Sequence, residues 1–418
     1  MQTLLASDSR WMLRPQADLC RWSTYNHMQL WPTFIDRTRL ASLQSQASQL
    51  VSLLRNIPRR FFDENLSALA HFHALPPGWS ELVPPDLLSG MPQTVGRVDF
   101  IWSHGRPYFI EYNGTASLGG MVRNDWRRFY EANPWAEASL LRAGLTLASP
   151  DPVEALAAHL VRLHGGPAQV MVSVPNRENY VTVDEIDLFV EDLTVAMERL
   201  GPGSRVLPGR AYELEITSDR VLLRGNPVHL VVEAFTDGGV FVKDARPLRD
   251  RNVTVLNGPL TPLLTSKLNF AILSEHQESE LFTAEERELI QTMIPWTRRA
   301  VPSLRERLVR EQPDIVLKKA HSWASSALHL GCTVSQERWP EIVSQVIGEG
   351  DWVAQRYCPS DLFCYQHGPS GCQPHRTVWG LFHIGERWGG GYVRAKPESA
   401  GPNVGVTETS ESLLVELP

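Results

Sequence analysis

Two short segments carry four polar residues whose types and spacing suit metal and phosphate binding. Arg97 and Asp99 are separated by one residue, and so are Glu111 and Asn113. Residues two apart on a β-strand project from the same face, so a hairpin that paired the two segments would bring all four together. Two carboxylates and an amide oxygen suit Mg²⁺, and a guanidinium beside them suits a phosphate oxygen. The alternative is an exposed hairpin face that carries a surface ion pair.

Two lysines form a second candidate group. Lys267 follows an Asn257-Gly258-Pro259 turn, and Lys318 comes at the end of the apolar segment Ile315-Val316-Leu317. A lysine that closes a buried strand, ahead of a loop of small residues, can contact phosphate. Most lysines at strand ends are instead solvated, and the adjacent Lys319 could equally be the one that faces inward.

The elements that must position these residues follow from hydrophobic patterning and turn signals. Alternation predicts strands at 95–102 and 107–113 around a turn at 103–106, which makes a hairpin. Most of residues 1–75 are predicted to be helical, and β-α-β alternation at about 150–258 predicts a small Rossmann-like unit without a dinucleotide motif. Helices are predicted from 260 to 310, followed by strands near 314–318, 351–357, 377–384 and 392–394. Gly389-Gly390-Gly391 is predicted to be a turn.

Composition restricts the class of protein. The 418 residues include 40 basic and 47 acidic side chains, a net charge of −7, which argues against nucleic acid or an anionic membrane as the main partner. No apolar run is long enough to span a membrane, and the N-terminus does not resemble a signal peptide. The five cysteines fit no common zinc template, so we expect reduced thiols and a cytoplasmic protein.

The order of these segments resembles the glutathionylspermidine-synthetase-like and circularly permuted ATP-grasp ligases. In that group an Arg-x-Asp strand comes first, as at Arg97 and Asp99, and a Glu-x-Asn strand follows, as at Glu111 and Asn113. Further segments follow the order of the family's nucleotide-binding elements, and the resemblance covers about residues 95–410 with gaps. These segments are Leu264-Thr265-Ser266-Lys267, Ile315-Val316-Leu317-Lys318, Trp352-Val353-Ala354-Gln355, Arg376-Thr377-Val378-Trp379-Gly380 and Tyr392-Val393-Arg394.

The resemblance implies an α+β (α/β) ATP-grasp fold and an ATP-dependent carboxylate–amine ligase that works through an acylphosphate. It implies that Asp99, Glu111 and Asn113 hold Mg²⁺ and that Arg97 stabilises the transferring phosphoryl group. It also implies that ATP is bound by four further residues, with Lys318 rather than Lys319 facing the nucleotide. These are Lys267, Lys318, Gln355 and Arg394.

The same resemblance divides the chain into four parts. A helical region at 1–94 contributes to the substrate pocket, and the metal-binding hairpin with its helices occupies 95–149. The Rossmann-like unit occupies 150–258 and the nucleotide-binding subdomains 259–418. The substrates would be a small-molecule carboxylate and an amine, whose identities are not encoded in these motifs.

One departure from the family keeps two other functions open. The loop after Lys318 reads Lys319-Ala320-His321-Ser322-Trp323-Ala324-Ser325-Ser326, without the family's glycines or an arginine. His321 or Lys319 could replace that arginine. A small-molecule kinase on the same fold is the first alternative, and a catalytically silent homologue that acts as a binding protein is the second.

Overall fold

The computed structural model describes residues 27–29, 32–83, 88, 91–121, 142, 144, 149–174, 183–234, 245–322, 327–366, 372–405 and 409–417. Residues 323–326 of the loop after Lys318, and the first 26 residues of the predicted N-terminal helical region, lie outside this part of the chain. The described part combines helices with several sheets, as an α+β fold requires.

Nineteen strands are present in the described residues. They are β1 His27–Met28, β2 Thr33–Asp36, β3 Val95–Ser103, β4 Arg106–Asn113, β5 Gln169–Ser173, β6 Arg205–Gly209, β7 Leu214–Ile216, β8 Val221–Leu223, β9 Asn226–Pro227, β10 Leu230–Val232, β11 Thr254–Leu256, β12 Thr297–Arg299, β13 Ile315–Lys319, β14 Leu328–Leu330, β15 Trp352–Arg356, β16 Leu362–Gln366, β17 Cys372–Ile384, β18 Arg387–Pro397 and β19 Ser410–Leu417.

Eleven α-helices accompany them in the same described residues. They are α1 Arg37–Phe62, α2 Leu66–Phe72, α3 Trp79–Leu82, α4 Pro152–His164, α5 Val183–Leu200, α6 Ala245–Arg249, α7 Thr261–Thr265, α8 Leu268–Glu275, α9 Ala284–Met293, α10 Arg305–Arg310 and α11 Trp339–Glu349.

The largest sheet has eight strands and is mainly antiparallel. Its path is β1-β19-β18-β17-β3-β4, with β16 added on β17 and β2 on β19. The predicted hairpin forms its end as β3 and β4. The short strands β1 and β2 join it in parallel to β19, so the start of the chain contributes strands that the helical prediction for residues 1–94 missed.

Helix α1 covers one face of this sheet, which we call the back face. The helix begins after Asp36, whose carboxylate caps it by accepting from the backbone N–H groups of Thr38 and Arg39. Its apolar side, including Leu50 and Leu54, packs in one core with Val98 and Leu381 of the sheet. Because β-strand residues alternate between faces, Arg97 and Asp99 lie on the other face, which we call the front face.

Three smaller sheets complete the fold. The parallel sheet β11-β10-β5-β6 lies within residues 150–258 and packs with α4 and α5, which matches the β-α-β alternation of the sequence. The strands β7, β8 and β9 form a separate antiparallel sheet in the same region. The antiparallel sheet β12-β15-β13-β14 carries Lys318 and Gln355.

The prediction of a turn at Gly389–Gly391 was wrong. These glycines lie inside β18, beside the irregular pairing of β17 with β18 between Leu381 and His383. A Cβ atom at position 391 would meet the carbonyl oxygen of Gly380 at 2.7 Å. The glycines therefore permit close strand contact, which a local pattern cannot distinguish from a turn.

The expectation of reduced thiols was also wrong for one pair. Cys364 and Cys372 form a disulfide across the β16–β17 hairpin, with their Cα atoms 5.6 Å apart. Cys332 and Cys358 are free thiols. No helix in the described ranges is long and apolar enough to cross a membrane.

Candidate functional site

The β3–β4 ladder brings together the four residues that were predicted to converge. Asp99 is paired directly with Glu111, and Arg97 is paired with Asn113. The amide nitrogen of Asn113 lies 3.2 Å from Asp99 Oδ2. The predicted hairpin and its common face are therefore confirmed, and the surface ion pair is excluded because Arg97 and Asp99 are only 6% and 3% exposed.

Asp99 is the centre of a buried network of charge-assisted hydrogen bonds. Arg97 donates to both of its carboxylate oxygens, from Nε at 2.5 Å and from Nη2 at 2.9 Å. Arg394 of β18 donates from Nη2 to Asp99 Oδ2 at 3.1 Å. Burial alone would lower the pKa of Arg97, but the Asp99 carboxylate more than offsets burial and the pKa is raised.

Tyr392 and Gly380 support Arg97, and the sequence analysis assigned neither of them a role. The Arg97 guanidinium lies 4.9 Å from the centre of the Tyr392 ring. Gly380 pairs with Asp99, and a Cβ atom there would meet Arg97 Cδ at 2.6 Å. Both residues fall in segments that carried the resemblance, but only the pairing of β17 with β3 and β18 places them beside Arg97.

Lys267 reaches Glu111 because the turn before α7 is fastened to the hairpin. The amide of Asn257 donates to the carbonyls of Val95 and Gly114, at 2.7 Å each, and accepts from the Val95 N–H at 2.8 Å. Lys267 Nζ then lies 3.0 Å from Glu111 Oε1 and 2.5 Å from the carbonyl oxygen of Ser322. The first candidate lysine thus lies at the hairpin and pairs with Glu111.

Lys318 turns inward and Lys319 outward. Lys318 Nζ donates to Gln355 Oε1 at 2.8 Å and to the carbonyl oxygen of Ile110 at 3.3 Å, so it reaches the hairpin strand β4. Lys319 Nζ instead pairs with the carboxylates of Glu349 and Asp351, at 3.1 and 3.5 Å. This orientation agrees with the prediction that Lys318 is the inward residue.

Gln355 holds Lys318 from the neighbouring strand. Its Nε2 donates to Thr297 Oγ1 at 3.0 Å, so the amide is fixed with its oxygen toward Lys318. Thr297 was missed by the sequence analysis and comes from the pairing of β12 with β15. Burial lowers the pKa of Lys318 to about 8, while Glu111 opposes and Lys267 adds to that effect.

The site therefore contains more positive than negative charge. Among the described residues, Arg97, Arg394, Lys267 and Lys318 surround the carboxylates of Asp99 and Glu111, and a third buried carboxylate, that of Glu411, pairs across the sheet with Arg394. Burying uncompensated cations is costly unless an anion joins them. A ligand with several phosphate oxygens would balance this group.

Two of the predicted metal ligands have an oxygen that no described residue engages. Glu111 Oε2 and Asn113 Oδ1 accept no hydrogen bond from the described residues, whereas both oxygens of Asp99 are used by arginines. In the part of the chain that is described, no three His, Cys, Asp or Glu side chains form a metal-binding group. The donors left available in the described residues are thus one carboxylate oxygen of Glu111 and the amide oxygen of Asn113, which fit Mg²⁺ completed by water and phosphate oxygens rather than a metal enclosed by protein.

No known family model matches the chain, and no curated protein sequence does. Among solved structures, the fold is similar to that of a glutathione synthetase-like effector from Globodera pallida in its apo form. The TM-score is 0.62 at 12% identity, and the match covers 100% of this chain and 96% of that one. The two chains share a fold. A provisionally assigned gamma-glutamylcysteine synthetase from Methylobacillus flagellatus KT matches at a TM-score of 0.47, with 12% identity over 90% of this chain and 87% of that one.

The start of the loop after Lys318 contacts both Lys267 of the charged site and His73, the residue that follows α2. His321 Nε2 is hydrogen-bonded to the carbonyl oxygen of His73, and the Lys267 N–H donates to the carbonyl oxygen of Ala320 at 3.1 Å. The replacement of the family arginine by His321 stays a prediction. The remaining loop residues, 323–326, lie outside the described part.

Proposed function

We propose that this protein binds MgATP at the site formed by β3, β4, β13 and β15, and uses it to join a carboxylate to an amine. The observation that supports this most is the group of four cationic side chains around the carboxylates of Asp99 and Glu111. The fold shared with a glutathione synthetase-like protein agrees with the proposal.

The chemistry that we propose needs charge neutralisation and alignment more than covalent help from the protein. An oxygen of the substrate carboxylate attacks the γ-phosphorus, the bond to the β-phosphate bridging oxygen breaks, and ADP leaves. The amine nitrogen then attacks the acylphosphate carbon, phosphate leaves, and the nitrogen loses a proton to give the amide. Arg97 and Lys318 would neutralise the phosphoryl oxygens during the first step.

Glu111 and Asn113 are the residues that would hold Mg²⁺. Asp99 would join them once Arg97 and Arg394 donate to phosphate oxygens in place of its carboxylate. The ion would supply charge neutralisation of the β- and γ-phosphates. Lys267 and Arg394 would bind phosphate oxygens, and Gln355 would act by orienting Lys318. Adenine binding by Gln355 is less suited to its geometry, because its side chain is 2% exposed and bonded at both ends.

We expect Glu111→Gln to remove the Mg²⁺ dependence of ATP binding. Calorimetric titration of the wild type should give tighter ATP binding with Mg²⁺ than without it. The variant keeps the size of the side chain but loses the charge, so we expect affinity to fall about tenfold with Mg²⁺ and little without it. An unchanged Mg²⁺ effect in the variant would contradict the assignment of Glu111.

We expect phosphate binding to weaken as the pH rises through about 8, because the buried Lys318 ammonium is lost there. Between pH 7 and 9, ATP affinity should fall by up to about tenfold, since most of the lysine is neutral at pH 9. Cys358 does not titrate between pH 7 and 9, because burial raises its pKa to about 11. Lys318→Arg stays charged and should give a flat profile, so a pH-dependent fall in this variant would disprove the explanation.

Analysis of the reaction products distinguishes a ligase from a kinase and from a silent homologue. A ligase releases ADP and phosphate only when carboxylate and amine are both present, whereas a kinase leaves a stable phosphorylated substrate. ATP binding without any turnover over a panel of acids and amines would favour the silent homologue. The loop 319–326, which lacks the family's glycines and arginine, is the observation that favours the silent homologue.

A further inference from the structure

A cavity of about 440 Å³ lies beside α1, next to the back face of the large sheet. His383 lines it and pairs with Gly96, which neighbours Arg97 in β3, so His383 faces away from Arg97 and Asp99. The sheet therefore separates this cavity from the proposed nucleotide site. Its volume is in the range of natural small-molecule sites, roughly 300–1,000 Å³.

Arg55 of α1 is the main charged group in the wall of the cavity. Its Nη2 donates to the Thr94 carbonyl at 3.1 Å, to Thr94 Oγ1 at 3.0 Å and to the Gly385 carbonyl at 3.0 Å. These bonds fix the guanidinium between the start of β3 and the β17–β18 turn. Arg55 has no carboxylate within ion-pair distance among the described residues, and its Nε is buried without an acceptor.

The surroundings of Arg55 favour an anion. Burial lowers the pKa of Arg55, since removing the charged form from water costs free energy that its neutral partners only partly recover. Arg59 and Asn56 add hydrogen-bond donors to the same wall. His383 is neutral there, because burial and the nearby Arg55 lower its pKa to about 3.

Two carboxylates also line the cavity and limit what can enter. Glu386 and Glu64 are exposed residues, so water screens their charges more than the charge of the buried Arg55. Glu386 contributes electrostatically to the pKa of Arg55 but lies outside ion-pair distance. A small anion that reaches Arg55 therefore gains more than the rim carboxylates oppose.

We propose that this back-face cavity is a second binding site, for a small anion with a carboxylate or phosphate group that pairs with Arg55. The guanidinium is fixed in advance by the bonds of Nη2, and Nη1 forms no hydrogen bond with the described residues, so it can pair with one oxygen of either group. The site is independent of the proposed ligase activity and uses none of its residues.

The test is calorimetric titration with two probes, inorganic phosphate and succinate, on the full chain. We expect at least one probe to bind the wild type with a dissociation constant of about 1 mM or lower, which corresponds to roughly 4 kcal/mol. Tighter binding of phosphate would indicate a phosphate-bearing ligand, and tighter binding of succinate would indicate a carboxylate-bearing ligand. Lys318→Met should leave this binding unchanged, which separates it from phosphate bound at the nucleotide site.

Three variants test the position of the site. Arg55→Met should weaken binding at least about tenfold, through loss of a charge-assisted contact. Arg55 also bonds to Thr94 and Gly385, so its replacement can disturb the fold as well as the cavity. Ser52→Trp is therefore the second variant, because it fills the cavity from an exposed position and keeps Arg55. Glu386→Gln should strengthen binding about twofold by removing a rim charge. No saturable binding of either probe, or binding unaffected by Ser52→Trp, would overturn the proposal.

Discussion

Replacing Lys318 by Met should abolish MgATP binding while leaving the protein as stable as before or more stable. Lys318 is 7% exposed, and among the described residues its ammonium donates hydrogen bonds to the neutral groups of Gln355 and Ile110 alone. The lowered pKa, about 8 against 10.5, means that burying this charge costs on the order of 3 kcal/mol. Met fills a similar space without that cost, although Gln355 Oε1 loses a donor worth roughly 1–3 kcal/mol.

Two measurements test the prediction for Lys318→Met. ATP affinity should fall at least about 100-fold, roughly 3 kcal/mol, because a buried charged contact to phosphate is lost. The free energy of unfolding by urea at pH 7 should stay level or rise by up to about 2 kcal/mol. A residue kept for stability alone would show the opposite pattern.

Lys319→Met is the matched control, since its side chain pairs with Glu349 and Asp351 and is 38% exposed. ATP affinity should change less than about twofold in this variant, and stability by less than about 1 kcal/mol. Loss of binding in Lys319→Met with retention in Lys318→Met would reverse the assignment of the two lysines.

The pH dependence of stability gives an independent check. Lys318 has a lower pKa in the folded chain than in the unfolded chain, so the unfolded state binds more protons between pH 8 and 10.5. Its contribution to the free energy of unfolding therefore rises with pH across that window. Comparison with Lys318→Met isolates this contribution, which should be missing from the variant. Equal slopes in the two proteins would show that the lysine is not buried as a charged group.

Replacing Asp99 by Asn should cause the largest loss of stability at the site. The change leaves Arg97 and Arg394 without their shared carboxylate, although the side chains of these arginines are only 8% and 12% exposed. Removal of one partner from a buried ion pair costs about 3–5 kcal/mol, so we expect a loss of that size in urea unfolding. The variant site would also carry one more net positive charge.

That extra charge predicts a rescue that a merely structural defect would not show. Inorganic phosphate should restore part of the stability lost in Asp99→Asn, because an anion replaces the missing carboxylate between the arginines. Glu341→Gln is the surface control: it breaks an ion pair with Arg338 whose side chains are 62% and 63% exposed. Its effect should be below about 1 kcal/mol and unchanged by phosphate. A loss below about 1 kcal/mol in Asp99→Asn would show that the network is not what holds these arginines.

Local patterning in the sequence accounts for the hairpin and for the common face of its polar residues. The alternation from Val95 to Trp102 and the turn at 103–106 predict the pairing that the fold has, and a period of two residues aligns Arg97 with Asp99 and Glu111 with Asn113. The spacing of Thr283 and Glu286 in the sequence is that of a capping box, and in the structure this box opens α9. These are short-range features, and neighbouring residues are sufficient to specify them.

Tertiary structure alone decided which of these residues meet and how their charges are shared. Asp99 lies against Arg394, 295 positions later, and Lys267 lies against Glu111 because Asn257 fastens a distant turn to β3. The inward orientation of Lys318 likewise depends on the pairing of β13 with β15. The strand course of Gly389–Gly391 and the Cys364–Cys372 disulfide depend on how consecutive strands pair, β17 with β18 and β16 with β17. The periodicity of the sequence predicts which face of a strand or helix a residue occupies. The residue that lies across from it on the next strand is determined by the packing free energy of the whole sheet.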